Sequence, residues 1–494
     1  MRVGNEVARG APSSAGWLIL LVTLSGVALA LLASSVPASL AVAAVVGMIF
    51  LVVFVQRPDL GLLFVVFIRS CTDLSFAFVN RAAPASAAAG STSVAVGSSP
   101  FNVGLVLTVI FVGGVFVLSR GIPFLSLPGG TAFALLLLSG LMGLLRAVGV
   151  AHSESLVYGM NQWLRPVSAL VIYALAAHVF RTPKAIQGVI DVIAAAFVIP
   201  ALFGFYQLLR RNLPINGTFV DQNAFAVFLV LIFSIFLCQA LAQSGTRKLL
   251  ALSIVGCSAV LLAATYARTS WVAAVVILMV VGALRKHVFL VLVPLAVVIA
   301  VGMVPSIANR LANPFEGSFA DRVGIWQTTG PVWMSATQDE AGAVSTGINR
   351  LIGTGPGSIG GLVLSGHGIA NMEHNDYLAV LYEYGMLGVV AYVLMYLTIL
   401  VSEYRTWRRC TDERMASIAL NAIAATLGLM TMSLTDNIFG LTQNQIYFWT
   451  LVGLTVAISR LSARAGGSKT ASAESQNLAL ARTGRRPVRE FLPT

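Results

Sequence analysis

Long apolar runs separated by short polar junctions dominate the chain, and many of these runs have the length of a membrane crossing. A crossing helix needs roughly 20 predominantly apolar residues. By that measure helical spans are predicted at 17–34, 38–55, 60–79, 101–119, 131–149, 166–180, 186–209, 222–242, 249–266, 270–284, 288–304, 376–402, 416–434 and 440–459. One polar stretch stands out between two spans, Pro305 to Asn375, ending in Met372-Glu373-His374-Asn375-Asp376-Tyr377. The expected fold class is an all-α polytopic integral membrane protein of about 14 transmembrane helices with one long extracytoplasmic loop. Its expected organisation is an N-terminus over 1–16, a first membrane bundle over 17–304, the loop over 305–375, C-terminal helices over 376–459 and a disordered basic tail over 460–494.

Composition removes the soluble alternatives. Of 494 residues, 57% are hydrophobic and 10% charged, with a mean hydropathy of +0.87. A soluble domain carries about a quarter charged residues. The net charge of +12 would suggest nucleic acid for a soluble protein. Here cationic residues are expected to collect at the cytoplasmic ends of spans, against anionic lipid. Cys71, Cys238, Cys257 and Cys410 show no paired spacing and read as small hydrophobes rather than metal or redox ligands. Residues 82–99 are rich in Ala, Ser and Gly and read as a flexible external loop.

Orientation follows from Lys and Arg in the short loops. Arg57, Arg120, Arg181 with Lys184, Arg247 with Lys248, Arg285 with Lys286, and Arg405, Arg408, Arg409 and Arg414 fall in alternate loops, which places both termini in the cytoplasm. The opposite loops should then be poor in Arg. They nevertheless hold Arg81, Arg146, Arg165, Arg210, Arg211, Arg268, Arg310, Arg322 and Arg350. Any one of these fits a snorkelling or ion-paired arginine, but the set opposes the topological rule and suggests an anionic substrate.

His374 and Asn375 sit at the water end of a predicted span, where an imidazole can take a proton or orient a hydroxyl. The plainer alternative is a helix start capped by Asn375 or Asp376. Arg165 and Arg268 are interfacial guanidinium groups suited to a diphosphate, since each offers a planar fork of donors that stays charged. Arg210, Arg211 and Asn223 lie on the same predicted side, with Asn223 also a candidate cap. Trp163 and Trp271 read as members of an aromatic belt. The run Gly353-Thr354-Gly355-Pro356-Gly357 reads as a tight turn or a phosphate-cradling nest, without the lysine of a nucleotide loop. There is no HExxH, DxD-like acidic pair or GxSxG to support metal hydrolysis or serine chemistry.

These pieces together resemble the O-antigen ligase and O-antigen polymerase superfamily of bacterial polysaccharide-assembly membrane proteins. The resemblance runs from about Leu202 to Gly388. It rests on Gly204-Phe205-Tyr206-Gln207, Gly217-Thr218-Phe219 leading to Asn223, and Ala267-Arg268-Thr269-Ser270-Trp271, where the family usually has Ser before Arg. It continues through Arg322 with Ile325-Trp326, Gly353-Thr354-Gly355, and His374-Asn375-Asp376-Tyr377-Leu378 with Gly385-Met386-Leu387-Gly388. The resemblance implies a metal-independent, cofactor-free glycosyltransferase that moves a glycan from an undecaprenyl diphosphate donor to an acceptor sugar or lipid-linked acceptor. It implies catalytic roles for His374 and Arg268 and substrate binding by Arg165 and Arg322, while Arg210, Arg211, Asn223 and Asn375 are candidate substrate-binding residues by their position on the same predicted side. Such ligases commonly have about twelve spans, so 12 is possible here. Ligase and polymerase share the same diphosphate chemistry and stay equally open. A secondary transporter or flippase-like export component is the rival, and would place its polar residues near the bilayer midplane.

Overall fold

The computed structural model describes residues 51–71, 106–147, 153–219, 221–292, 323–324, 326–327, 350–358 and 374–482. Among these there is no strand. The helices are α1 (Pro58–Arg69), α2 (Val106–Ser119, with a π-turn over Val109–Gly113), α3 (Gly130–Ala147), α4 (Ser153–Val179), α5 (Pro183–Leu209), α6 (Gln222–Ala242), α7 (Gly245–Ala264), α8 (Arg268–Arg285), α9 (Asp376–Arg409), α10 (Glu413–Met432) and α11 (Thr442–Arg482). Seven of them, α5 to α11, are long and apolar enough to cross a membrane, α11 through its portion up to Arg464. The chain is therefore a helical protein with the build of a membrane-embedded one. The segments expected at 17–34 and most of those at 38–55 and 288–304 lie outside the described residues, as does most of the 305–375 loop. The short segments 166–180 and 270–284 fall within the continuous helices α4 and α8. Beyond Arg460, where a disordered tail is expected, α11 continues as helix to Arg482. That stretch mixes two glycines with Ala, Leu, Gln and Arg, which favour helix once it has been started.

Burial is graded around α6. Every residue from Ala224 to Ala240 is buried, as expected of a helix that is apolar on all sides. α7, α10 and α8 pack around it, while α4 pairs with α11 and α3 with α9. Helices joined by short loops run antiparallel, whereas α4 and α11 run parallel, with Arg165 beside Gly440 and Ala177 beside Arg460, and polar contacts fix which ends meet. Arg285 pairs with Glu413 at 3.1 Å, and the Arg460 guanidinium donates to the Ala177 carbonyl at 3.0 Å. At the other end the Arg69 guanidinium donates to the Thr442 hydroxyl at 3.0 Å, and Ile215 N donates to the Ala264 carbonyl at 3.3 Å.

One end of the bundle thus gathers residues 210–219, 221, 264–268, 374–376 and 433–442. The opposite end gathers Arg181, Lys184, Arg247, Lys248, Arg285, Lys286 and the Arg405–Arg414 cluster. The basic loops expected on one side of a membrane do fall at one end of the described bundle.

α9 is broken near its start. Gly385 has φ 68° and ψ −171°, which takes the backbone out of the helix. The break frees carbonyls, and the glycine turn at 353–357 supplies their donors. Thr354 N reaches the Tyr382 carbonyl at 3.0 Å and Gly355 N reaches that of Glu383 at 2.9 Å. From α3, the Ser139 hydroxyl donates to the Tyr384 carbonyl at 2.6 Å. A side chain on Gly385 would run into the backbone of Leu351 and Gly353, and one on Gly353 into that of Glu383. The turn is thus a docking piece for the kink, with two of its N–H groups spent on protein carbonyls rather than pointed at an anion.

Candidate functional site

A cavity of about 600 Å³ opens at the end of the bundle that holds His374. Its walls include Asn216 and Pro214, Asp221 and Asn223 at the start of α6, His374 before α9, and Asp436 and Asn437 between α10 and α11. Three chain segments far apart in sequence therefore meet there, and each is held by its own hydrogen bonds.

The first wall is the loop after α5. The Gln207 side chain, nearly buried, uses both ends of its amide. Its oxygen accepts from Asn216 N at 3.0 Å and Gly217 N at 2.8 Å. Its nitrogen donates to the Asn216 side-chain oxygen at 2.8 Å and to the Gly217 carbonyl at 3.2 Å. Asn216 in turn donates to the Phe219 carbonyl at 2.8 Å. Gly217, at φ 56°, lies against the Phe225 ring, where a side chain would collide. The Gly204–Gln207 and Gly217–Phe219 pieces, separate in sequence, are two halves of one lock. Asp221 then caps α6 by accepting from Ala224 N at 2.8 Å. The positive end of the α6 dipole thus faces the cavity.

The second and third walls are bolted together by Asp376. This carboxylate is buried and accepts from the Ser433 hydroxyl at 2.7 Å and from Phe439 N at 3.0 Å. Asp376 N also donates to the Ser433 carbonyl at 2.9 Å. Asn375 caps α9 by accepting from Leu378 N at 3.1 Å, and its amide donates to the Leu434 carbonyl at 2.9 Å. Gln445 and Asn444 hold the far side of the 433–441 loop, donating to the Ile438 and Ala224 carbonyls. Between these anchors His374 sits at φ 46°, a left-handed conformation uncommon outside glycine. Its Nδ1 lies 3.5 Å from Asp436 Oδ1 without the alignment of a hydrogen bond. The imidazole is partly exposed to the cavity, and Asp436 is nearly buried behind it. A non-glycine residue held at positive φ in a cavity wall beside a carboxylate makes His374 a candidate functional position.

The sequence-predicted residues divide accordingly. His374 and Asn223 line the cavity. Asn375 lies beside it, with its side chain engaged as cap and strap. Arg268 is the exposed first residue of α8 and makes no hydrogen bond or ion pair with a described residue. It lies at the same end of the bundle, close in sequence to Ala264, whose carbonyl holds the Ile215 amide of the first wall. Arg210 and Arg211 are exposed on the loop leading into that wall, with Arg210 over the Tyr206 ring at 5.6 Å. Arg165 points elsewhere. Its guanidinium donates to the Gly440 carbonyl at 3.0 Å and feels the charge of Glu383 at the α9 kink. It braces the 433–441 loop near Leu441, without lining the cavity. Trp163 and Trp271 each donate an indole N–H to a backbone carbonyl, of Leu137 and Leu262. Arg322 lies outside the described residues.

Asp436, Asn437 and Asn216 are the residues that sequence reasoning misses. A signal existed for Asp436: it is the acid in the short polar junction between the last two predicted spans, on the same side as His374.

The lining is chemically one-sided. It offers two carboxylates, three asparagine amides, one glutamine amide and one imidazole, and no guanidinium. Such a set donates to and accepts from neutral hydroxyl groups. Cationic groups suited to phosphate are exposed at the same end of the bundle, at Arg210, Arg211 and Arg268. Among the described residues no cluster of His, Cys, Asp and Glu has the makings of a metal site. No protein-family model matches the chain, and no curated protein matches it.

Proposed function

We propose that this protein is a membrane glycosyltransferase of the O-antigen ligase or polymerase type. It would transfer a glycan from a polyprenyl diphosphate to the hydroxyl of an acceptor sugar, outside the cytoplasm, through a bundle of about 14 spans. The observation that carries the reading is the division of labour at one end of the bundle. A polar cavity holds the His374–Asp436 pair, and exposed arginines lie at the same end of the bundle.

In this mechanism the acceptor sugar binds among Asn216, Asn223 and Asn437. A proton on His374 Nδ1, directed at Asp436, leaves Nε2 to receive the acceptor hydroxyl proton. The acceptor oxygen bonds to the anomeric carbon of the donor as the bond from that carbon to the diphosphate oxygen breaks. The departing electron pair goes to the diphosphate, whose charge Arg268, Arg210 and Arg211 offset. The donor is already activated, so positioning and charge neutralisation supply most of what the reaction needs. The placement of the polar cavity at a helix end weighs against a midplane transport site.

The test is transfer in proteoliposomes with an undecaprenyl-diphosphate-linked oligosaccharide and a glycan acceptor. His374→Asn is the informative variant. Asparagine tolerates the left-handed backbone and can hydrogen-bond, but cannot take up a proton. It should lower the transfer rate by roughly 10²–10⁴ while the donor still binds. An Asn variant that turns over at the wild-type rate sinks the base role. Solute uptake by the vesicles without any glycan transfer would support the transporter.

A further inference from the structure

A second cavity, of about 450 Å³, lies at the end of the bundle remote from His374. Ser126 and Pro128 before α3, the last turns of α9 from Leu397 to Arg409, and Ser459 of α11 form it. Leu441 lines the first cavity and Ser459 the second, so along α11 the two are separated by about 27 Å. That is close to the roughly 30 Å of a bilayer's hydrocarbon core.

Two features set this cavity apart from the basic residues around it. The first is its charge. Arg405 and Arg409 stand one helical turn apart on its wall, so both guanidinium groups can reach one ligand. Several other arginines at this end are already engaged. Arg57 is paired with Asp59, Arg285 with Glu413, Arg181 and Arg460 bond backbone carbonyls, and Arg408 lies over the Trp407 ring. Arg405 and Arg409 make no ion pair or hydrogen bond with a described residue. The wall contains no carboxylate. The Ser402 and Ser459 hydroxyls are likewise uncommitted among the described residues. The N-terminus of α3 also comes up against α9 here, because Gly129, at φ 74°, packs on Met395 and Thr398. It adds the positive end of a helix dipole.

The second feature is the surface that leads away from it. Val390, Leu394, Leu397 and Val401 are all exposed and recur along α9 at helical spacing. This apolar stripe ends at Arg405. An apolar track running into a paired-arginine pocket has the layout of a phospholipid: acyl chain along the helix, phosphodiester at its end.

From this juxtaposition we infer that the Arg405–Arg409 cavity binds the phosphate headgroup of an anionic membrane phospholipid, at the end of the bundle remote from the candidate active site. The two arginines hold the phosphate oxygens, Ser402 and Ser459 serve the headgroup, and the α9 stripe takes a chain. A free phosphate shares the headgroup chemistry but would gain nothing from the stripe.

The experiment is native mass spectrometry of the full-length protein in detergent, titrated with dioleoyl phosphatidylglycerol, dioleoyl phosphatidylcholine or inorganic phosphate. Wild-type protein should retain phosphatidylglycerol in preference to phosphatidylcholine. The Arg405→Gln/Arg409→Gln double variant should lose phosphatidylglycerol affinity about tenfold or more, with phosphatidylcholine unchanged. Arg408→Gln removes a neighbouring charge outside the cavity and should leave phosphatidylglycerol binding as in the wild type. Thermal unfolding of each variant in detergent checks that the bundle is intact. Equal loss in Arg408→Gln, or none in the double variant, overturns the site. Displacement of the lipid by inorganic phosphate at equal concentration overturns the lipid as its occupant.

Discussion

At the scale of single residues, the arginines separate by what they touch. Arg165 is committed to the Gly440 carbonyl and to the neighbourhood of Glu383, so its loss should act through the 433–441 loop. Arg268 is exposed and uncommitted among the described residues, so its loss should cost little folding energy. If Arg268 holds the donor diphosphate, Arg268→Ala and Arg268→Lys should both lose most transfer activity, because lysine keeps the charge but not the planar fork. Expression and unfolding temperature should stay near those of the wild type for both. Steady-state rates with donor varied would show it, and an Arg268→Ala protein with unchanged kinetics would remove this residue from the mechanism.

The element that matters most is α9, whose break at Gly385 lets the 353–357 turn dock and sets the approach of the helix to His374. Its φ and ψ lie in a region open almost only to glycine, where another residue costs about 1–3 kcal/mol before any collision is counted. A Gly385→Ala side chain would also strike the Leu351 and Gly353 backbone. That variant should unfold at a distinctly lower temperature. Gly256→Ala makes the matching control, since nothing lies within 4 Å of the new methyl group in the middle of α7. It should be neutral or stabilising by up to about 1 kcal/mol. Thermal unfolding in detergent measures both, and equal midpoints for the two would contradict the role given to the kink.

For the whole molecule, the division of basic residues between the bundle ends makes sidedness testable. If the Arg405–Arg414 end is cytoplasmic, the His374 end is expected to face outward, and the 305–375 segment with it. Single cysteines at Ser345 and Ser472, in a protein freed of its own four, report this with an impermeant thiol reagent. Ser345→Cys should label in intact cells and Ser472→Cys only after the membrane is opened. The reverse pattern would invert the molecule and put the candidate active site in the cytoplasm.

The sequence by itself determined the helical, membrane-embedded character of the chain. Apolar run length and the spacing of Lys and Arg are local properties, and α5 to α10 start and stop close to where those properties change. It also marked His374 and Asn223, because polar residues at the water ends of spans are few. What joined them was tertiary. The cavity is closed by Asp436 and Asn437, which lie more than sixty residues beyond His374. The Asp376 bonds to Ser433 and Phe439, with the Asn375 strap to Leu434, bring the two segments face to face. The role of Gly353–Gly357 was equally hidden, since a run of glycines fits an anion nest and a docking turn alike. The choice between them depended on the carbonyls that the Gly385 break, thirty residues away, leaves without helical partners. Hydrogen-bond demand created in one element and met by another leaves no local pattern in the chain.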